Sequence, residues 1–359
     1  MGAQTARLTR LRGALADRDD LDALLVTNLE NVRYLSGFTG TNGMLVVDQE
    51  KAVLLTDFRY TVQAAEQAPD YETIDGGSEP RKRLVDAFGA RTRIGFDDSD
   101  MRVKSHAALV AELADGSELV AASGIVERLR AVKDAHEIDA IARASLIADS
   151  IYATLAEEGL VGRNETDVAW RIEQLAREGG ASGVSFPSIV AAGPHGALPH
   201  AEPRDVAIGR GELVVLDLGV IHDGYCSDCT RTFATGPIPD HAREVYELVL
   251  DAQEQSLAGV QIGAECKAVD AIARDIISAA GHGEHFGHSL GHGVGVEVHE
   301  GPTLSARSEG SLEAGNVVTV EPGVYLEGEF GVRIEDLVVV AEDGPRVLTP
   351  FTKELTTVD

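Results

Sequence analysis

The sequence predicts an α/β protein in two parts, on three observations. Over the first ~125 residues, short apolar runs alternate with helix-period segments, the pattern of an α/β layer structure. From about residue 134, two amphipathic helices give way to strands and Gly turns, and two more helices followed by strands repeat that order without a close sequence repeat. The length, 359 residues, fits two or three domains of about 100–200 residues each.

Each element has a local reason. Segment 5–16 is helical, with Leu8, Leu11 and Leu15 on one face. Segment 23–26 is a short buried strand. Segments 43–47 and 52–55 flank the polar turn 48–51 and form a hairpin. Strands at 93–96 and 118–121 continue the layer, with helices near 80–88 and 103–114. Residues 128–133 form a junction, placing one domain at 1–127 and the other at 128–359. The helix of about 134–158 sets Ile138, Ile141, Ala148, Ile151 and Leu155 on one side and ends at Gly159. Asn164, with Asp167 three positions on, is the N-cap of the next helix, which carries Val168, Ile172 and Leu175 and stops at Gly179-Gly180. Helices near 241–258 and 265–280 precede the last strands.

Composition excludes several function classes. With 31 basic and 59 acidic residues, the formal charge is −28. A duplex-binding protein needs a basic footprint to release phosphate counterions, and an anionic membrane surface repels the same charge. No nucleic-acid or membrane partner is expected. No run approaches the ~20 apolar residues that span a bilayer. Arg7, Arg10 and Arg12 are not followed by an apolar signal core, so secretion is not expected. Three cysteines, Cys226, Cys229 and Cys266, suit a reducing cytoplasm rather than a disulfide scaffold.

The chemistry lies in the second half. Residues 213–221 are an apolar strand interrupted by Asp217, 222–224 a turn, and 225–232 a returning strand that carries Asp228. Either hairpin register puts Asp217 and Asp228 on one face, directly or diagonally opposite. Carboxylates that close repel unless a cation neutralises them. The plainer alternative is a pair on a solvated face, against which the apolar setting of Asp217 counts. Four histidines, His285, His288, His292 and His299, fall within fifteen glycine-spaced residues of a chain that holds 11. Imidazole is both a common metal ligand and a general acid or base. Glu321 and Glu335 each sit in or at the end of a β-branched run, where burial favours pairing or metal coordination. For Glu335 the alternative is a salt bridge to Arg333 on the same strand face. Four carboxylates and one imidazole are a dinuclear ligand set suited to Mn²⁺, Co²⁺ or Zn²⁺, with Mn²⁺ favoured by the oxygen content. Cys226-Ser-Asp-Cys229 matches C-x-x-C, but it lies in a hairpin strand with no second cysteine pair, unlike a redox or structural zinc motif.

These motifs resemble the pita-bread metallopeptidases, in particular the proline-peptide branch of aminopeptidase P and prolidase. The resemblance runs along essentially the whole chain: Asn28 to Phe38, Leu129 to Ile138, Asp217 with Asp228 eleven residues on, His292 in G-H-G-V-G, Glu321 in E-P-G and Glu335 in R-I-E-D. It implies a creatinase-like N-terminal α/β domain followed by a pita-bread α+β catalytic domain. It implies two divalent metal ions, with Asp228 and Glu335 bridging, Asp217 completing one shell, and His292 and Glu321 the other. His200, His299 and Glu321 are the implied catalytic residues, and His288, Arg333 and Phe186 ligand-supporting or substrate-binding ones. The implied reaction is hydrolysis of the N-terminal Xaa–Pro bond of proline-containing peptides by a homodimer. Some prolidases carry an Arg shortly after the last histidine that clamps a dipeptide's carboxylate. Here His299 is followed by Glu300-Gly-Pro-Thr303, with no Arg until Arg307. That departure favours an Xaa-Pro aminopeptidase over an Xaa-Pro dipeptidase. Methionine aminopeptidases share the ligands but lack such an N-terminal domain. Creatinase-type hydrolases work without the metals, and pita-bread binding modules have lost the ligands.

Overall fold

The structure, a computed structural model, describes residues 2–359. It divides into two compact units, the first ending at Arg130 and the second beginning at Ala131. The helices are α1 (Ala3–Ala16), α2 (Leu29–Ser36), α3 (Thr61–Gln67), α4 (Pro80–Phe88), α5 (Val103–Val110), α6 (Ile125–Ala131), α7 (Ala135–Glu158), α8 (Glu165–Glu178), α9 (Asp240–Ala258) and α10 (Cys266–Ala279). No helix among the described residues is long and apolar enough to cross a membrane.

The first unit is a six-stranded mixed sheet, β4-β3-β2-β1-β5-β6, formed by β1 (Ala23–Val26), β2 (Met44–Val47), β3 (Ala52–Thr56), β4 (Glu72–Asp75), β5 (Arg93–Phe96) and β6 (Glu118–Ala121). Its central strands are buried on both faces, so they read as continuous apolar runs rather than alternating ones. Three short elements, α2, α3 and β4, lie outside the sequence expectation. α2 rests on a cap: the Asn31 N–H donates to Asn28 Oδ1 at 2.8 Å, and Gly37, at φ 81°, ends the helix in the left-handed region. α5 stops at Val110, short of the expected 114. α6 runs into the expected junction because Ile125 and Val126 are buried.

In the second unit the capping box between Asp134 and Glu137 starts α7. Asn164 occupies the N-cap of α8, yet its side chain donates to Asp205 and makes no capping bond. The α-α-β order occurs twice. α7 and α8 pack Ile151, Tyr152, Leu155 and Ile172 against the sheet β12-β9-β8, formed by β8 (Ile189–Ala192), β9 (Leu213–Leu218) and β12 (Cys229–Ala234). α9 and α10 pack Val249, Val269 and Ile277 against β15 (Val317–Val320) and β18 (Asp336–Ala341), inside the sheet β14-β13-β15-β18-β19. That sheet also holds β13 (Gly291–Gly293), β14 (Glu300–Leu304) and β19 (Gly344–Val347). β7 (Gly183–Val184), β10 (Val220–His222) and β11 (Tyr225–Cys226) form a small sheet, and β16 (Gly323–Leu326) pairs with β17 (Phe330–Arg333).

The decisive hairpin takes the diagonal register, with Asp217 opposite Thr230 in β9–β12 and Ile221 opposite Cys226 in β10–β11. Gly219 lies at the break between these ladders, where a Cβ would fall 1.9 Å from the Ser227 carbonyl oxygen. A second close approach joins β17 to the segment after β8, where a Cβ on Gly331 would lie 1.9 Å from the Gly196 carbonyl oxygen. Gly331→Ala therefore forces backbone apart beside the site. It is expected to lower unfolding stability by about 1–3 kcal/mol, read from the denaturant midpoint.

Candidate metal centre

Asp217 stands near the end of β9, Asp228 just before β12, and Glu335 between β17 and β18. Each offers an oxygen, and the three oxygens lie within 4.8 Å of one another. Glu335 Oε2 accepts from Thr230 Oγ1 at 2.8 Å, and Asp217 Oδ2 accepts from Arg333 Nη2 at 2.7 Å. The other two oxygens, Glu335 Oε1 and Asp217 Oδ1, are buried without a hydrogen-bond partner. Burial first, and then neighbouring carboxylates, push Asp228 and Glu335 well above the usual carboxylate range. Burial also raises Asp217, which the Arg333 charge opposes.

His292, on β13, completes the acidic wall. Its Nδ1 donates to the Gly293 carbonyl at 3.1 Å. Its Nε2 faces Glu321 Oε1 at 3.3 Å and Asp228 Oδ2 at 3.6 Å. A nitrogen facing two carboxylates needs either a proton or a cation between them. Burial works to raise the Glu321 carboxyl, but the bond and charge of His292 bring it below its ordinary value. Thr319 Oγ1 donates to Glu321 Oε1 at 3.0 Å.

Arg333 is the hub behind these groups. Its guanidinium donates to Asp217, to Thr230 Oγ1 at 3.0 Å, to Tyr325 Oη at 2.8 Å and to the Pro199 carbonyl at 3.2 Å. The expected alternative for Glu335, a pair with Arg333, is thus replaced by an Arg333–Asp217 pair. Tyr325 in turn meets His288 Nε2 at 2.9 Å, while His288 Nδ1 donates to the Ser289 carbonyl. Both His288 nitrogens are engaged in these hydrogen bonds. The His299 ring packs edge-on to His292, with centroids 4.4 Å apart.

The ten residues to which the resemblance gives a role line one cavity of about 480 Å³: Phe186, His200, Asp217, Asp228, His288, His292, His299, Glu321, Arg333 and Glu335; His285 lies outside it. Pro187, Ile189 and Pro199 add an apolar wall. Arg307 is exposed and lies outside that wall. Cys226 and Cys229 are buried thiols that donate to the carbonyls of Val296 and Glu335, and burial pushes the Cys229 thiol up. The motif therefore presents no reactive thiolate. Thr230, Tyr325 and Thr319 were not legible as site residues, being single polar groups in apolar strands.

The family model for metallopeptidase family M24 matches residues 130–342, and that for the creatinase/prolidase N-terminal domain matches 7–132. The chain belongs to metallopeptidase family M24. Among solved structures, this M24 protein superimposes on an Xaa-Pro dipeptidase from Bacillus anthracis with a TM-score of 0.96 at 38% identity, covering 99% of this chain and 100% of the other. It superimposes on an X-Pro aminopeptidase from Thermotoga maritima with a TM-score of 0.89 at 36% identity, over 98% and 100% of the two chains. It is 34% identical to an Xaa-Pro dipeptidase of Pyrococcus horikoshii, over 94% of this chain and 95% of that one. The N-terminal creatinase-like domain and the pita-bread catalytic fold expected from the sequence are thereby established.

Divalent cations fit the M24 site on its own chemistry. It clusters buried carboxylates, leaves two of their oxygens unpartnered and offers one imidazole nitrogen. Because the folded state holds Asp228 with a raised pKa, ionised Asp228 opposes folding at neutral pH when no metal is bound. Asp228→Asn is therefore expected to raise the melting temperature of the metal-stripped M24 protein at pH 7, and to abolish the further rise that Mn²⁺ gives the unsubstituted protein. Differential scanning fluorimetry with and without chelator reads both effects.

Proposed function

We propose that this M24 metallopeptidase is an Xaa-Pro dipeptidase working with two divalent ions, Mn²⁺ by preference. The observation that carries the dipeptidase reading is near-full-length similarity to relatives described as Xaa-Pro dipeptidases at 34–38% identity. This shifts the balance away from the aminopeptidase favoured by the sequence. That second reading keeps two observations of its own, the 36% identity to the Thermotoga maritima X-Pro aminopeptidase and the arginine content of the cavity wall. Arg333 is the one Arg in the cavity wall among the described residues, and it is held by Asp217, so no spare guanidinium is at hand for a dipeptide carboxylate.

In this reading Asp217, Asp228, His292, Glu321 and Glu335 hold the ions. When bound, the ions act as Lewis acids and bring the pKa of a water near neutrality. The protein's own groups do the rest. Thr230, Thr319 and Arg333 orient the carboxylates, and the Gly293 carbonyl fixes the His292 tautomer so that Nε2 is the free nitrogen. Glu321 accepts the proton released by the attacking water. His200 and His299 line the cavity as N–H donors for the oxygen of the scissile carbonyl as negative charge develops there. Burial lowers the His299 pKa, which favours its neutral imidazole. Phe186, Pro187 and Ile189 offer the prolyl ring an apolar face.

Chromatography of Ala-Pro, Ala-Pro-Ala and Ala-Ala-Ala digests with Mn²⁺ tests the proposal. Cleavage confined to Ala-Pro supports the dipeptidase. Release of Ala from Ala-Pro-Ala establishes the aminopeptidase instead, and inertness toward both proline peptides with any divalent metal removes both readings. In the same assay His299→Ala should lose about 10²–10³-fold in kcat while retaining its metal, measured by elemental analysis. Loss of metal would make His299 a ligand.

A further inference from the structure

Glu165 is buried in the first turn of α8, with its side chain 1% exposed, and it lies outside the cavity wall. It gathers donors from both ends of the segment 192–204. At the near end are the Ala192 N–H at 3.0 Å and His195 Nδ1 at 3.0 Å. At the far end are the Arg204 N–H at 2.9 Å, Nε at 3.1 Å and Nη2 at 2.9 Å. Between these anchors the chain carries Pro199, whose carbonyl meets Arg333, and the exposed His200 in the cavity wall. A carboxylate with every lone-pair direction taken by donors from two ends of one loop fixes the loop's span, not merely its presence. Nothing else inside α8 requires an acid at that depth, since the usual place for a first-turn acid is the surface.

We propose that Glu165 is a positioning residue that sets the reach of His200 into the cavity by clasping both ends of the 192–204 loop. This rests on the reading above that His200 serves the substrate. None of the clasp's bonds reaches Asp217, Asp228, His292, Glu321 or Glu335; its one link toward them runs from the Pro199 carbonyl through Arg333 to Asp217, and retention of metal in the test below monitors that link.

A double-substitution cycle on the metal-loaded full-length protein tests this with Ala-Pro as substrate. Displacing a reacting group by about 1 Å can lower a rate by ~10²-fold, so Glu165→Gln should lower kcat/KM by about tenfold or more with bound metal unchanged. In a His200→Ala background the same change should cost less than about threefold, because the residue it positions is gone. An equal loss in both backgrounds, or loss of metal from the Glu165→Gln protein, overturns the proposal. If Glu165→Gln does not fold, Arg204→Ala, at a half-exposed partner, takes its place, with the same coupling expected and additivity overturning it. The His200→Ala protein alone separates the two claims. Full activity there refutes the role of His200, whereas a loss there with additive Glu165 effects refutes only the clasp.

Discussion

Three buried carboxylates within 4.8 Å of one another cannot all be ionised unless positive charge sits among them. The catalytic unit is organised around that constraint. The β9–β12 hairpin brings Asp217 and Asp228 to one place, and the link between β17 and β18, strands of two other sheets, brings Glu335. Among the described residues, the groups that pair with these carboxylates as cations are Arg333, which reaches Asp217, and His292, which reaches Asp228 and Glu321. That is too little for the carboxylates present, and two unpartnered oxygens mark the shortfall. An apolar core in that volume would be more stable, so the cluster is retained for chemistry rather than for folding.

Around this cluster, the loops that carry histidines into the cavity are each tied down by charges set back from it. Asp270 and Arg274 hold the carbonyls of Phe286 and His288 and the Leu290 N–H. Lys133, with its side chain fully buried, pairs with Glu300 at 2.7 Å, next to His299. Glu165 holds the loop of His200. Arg333 joins the sets, since its flat fork serves Asp217, Thr230, Tyr325 and Pro199 together, a geometry that Lys could not reproduce. A site whose side chains must stay within a fraction of an ångström is thus supported by groups whose rotamers are themselves locked.

Much of this was legible before any coordinates. Asp217 showed itself as one acid in an apolar strand, and the hairpin turn fixed Asp228 to the same face in either register. Helix 80–88 emerged at its expected bounds because Pro at its start and Gly at its end punctuate it. The short elements α2, α3 and β4 did not show, since helices of eight and seven residues and a strand of four give too few periods for an apolar pattern to stand out. A pair between Arg333 and Glu335 was the alternative suggested by their spacing along the chain, but Arg333 reaches across to Asp217, which spacing along the chain could not show. Thr230, Tyr325 and Glu165 had no signal of their own, because a single polar residue in a strand or a first helical turn looks the same whether it faces water or a catalytic loop.

We propose that the carboxylate cluster holds two metal ions. Anomalous diffraction from crystals grown with Mn²⁺, collected on both sides of the manganese edge, tests it most directly. Two peaks about 3.5–4 Å apart among Asp217, Asp228, His292, Glu321 and Glu335 are the predicted result. A map without anomalous density in that cluster at saturating Mn²⁺, Co²⁺ and Zn²⁺ would rule out a metal site there.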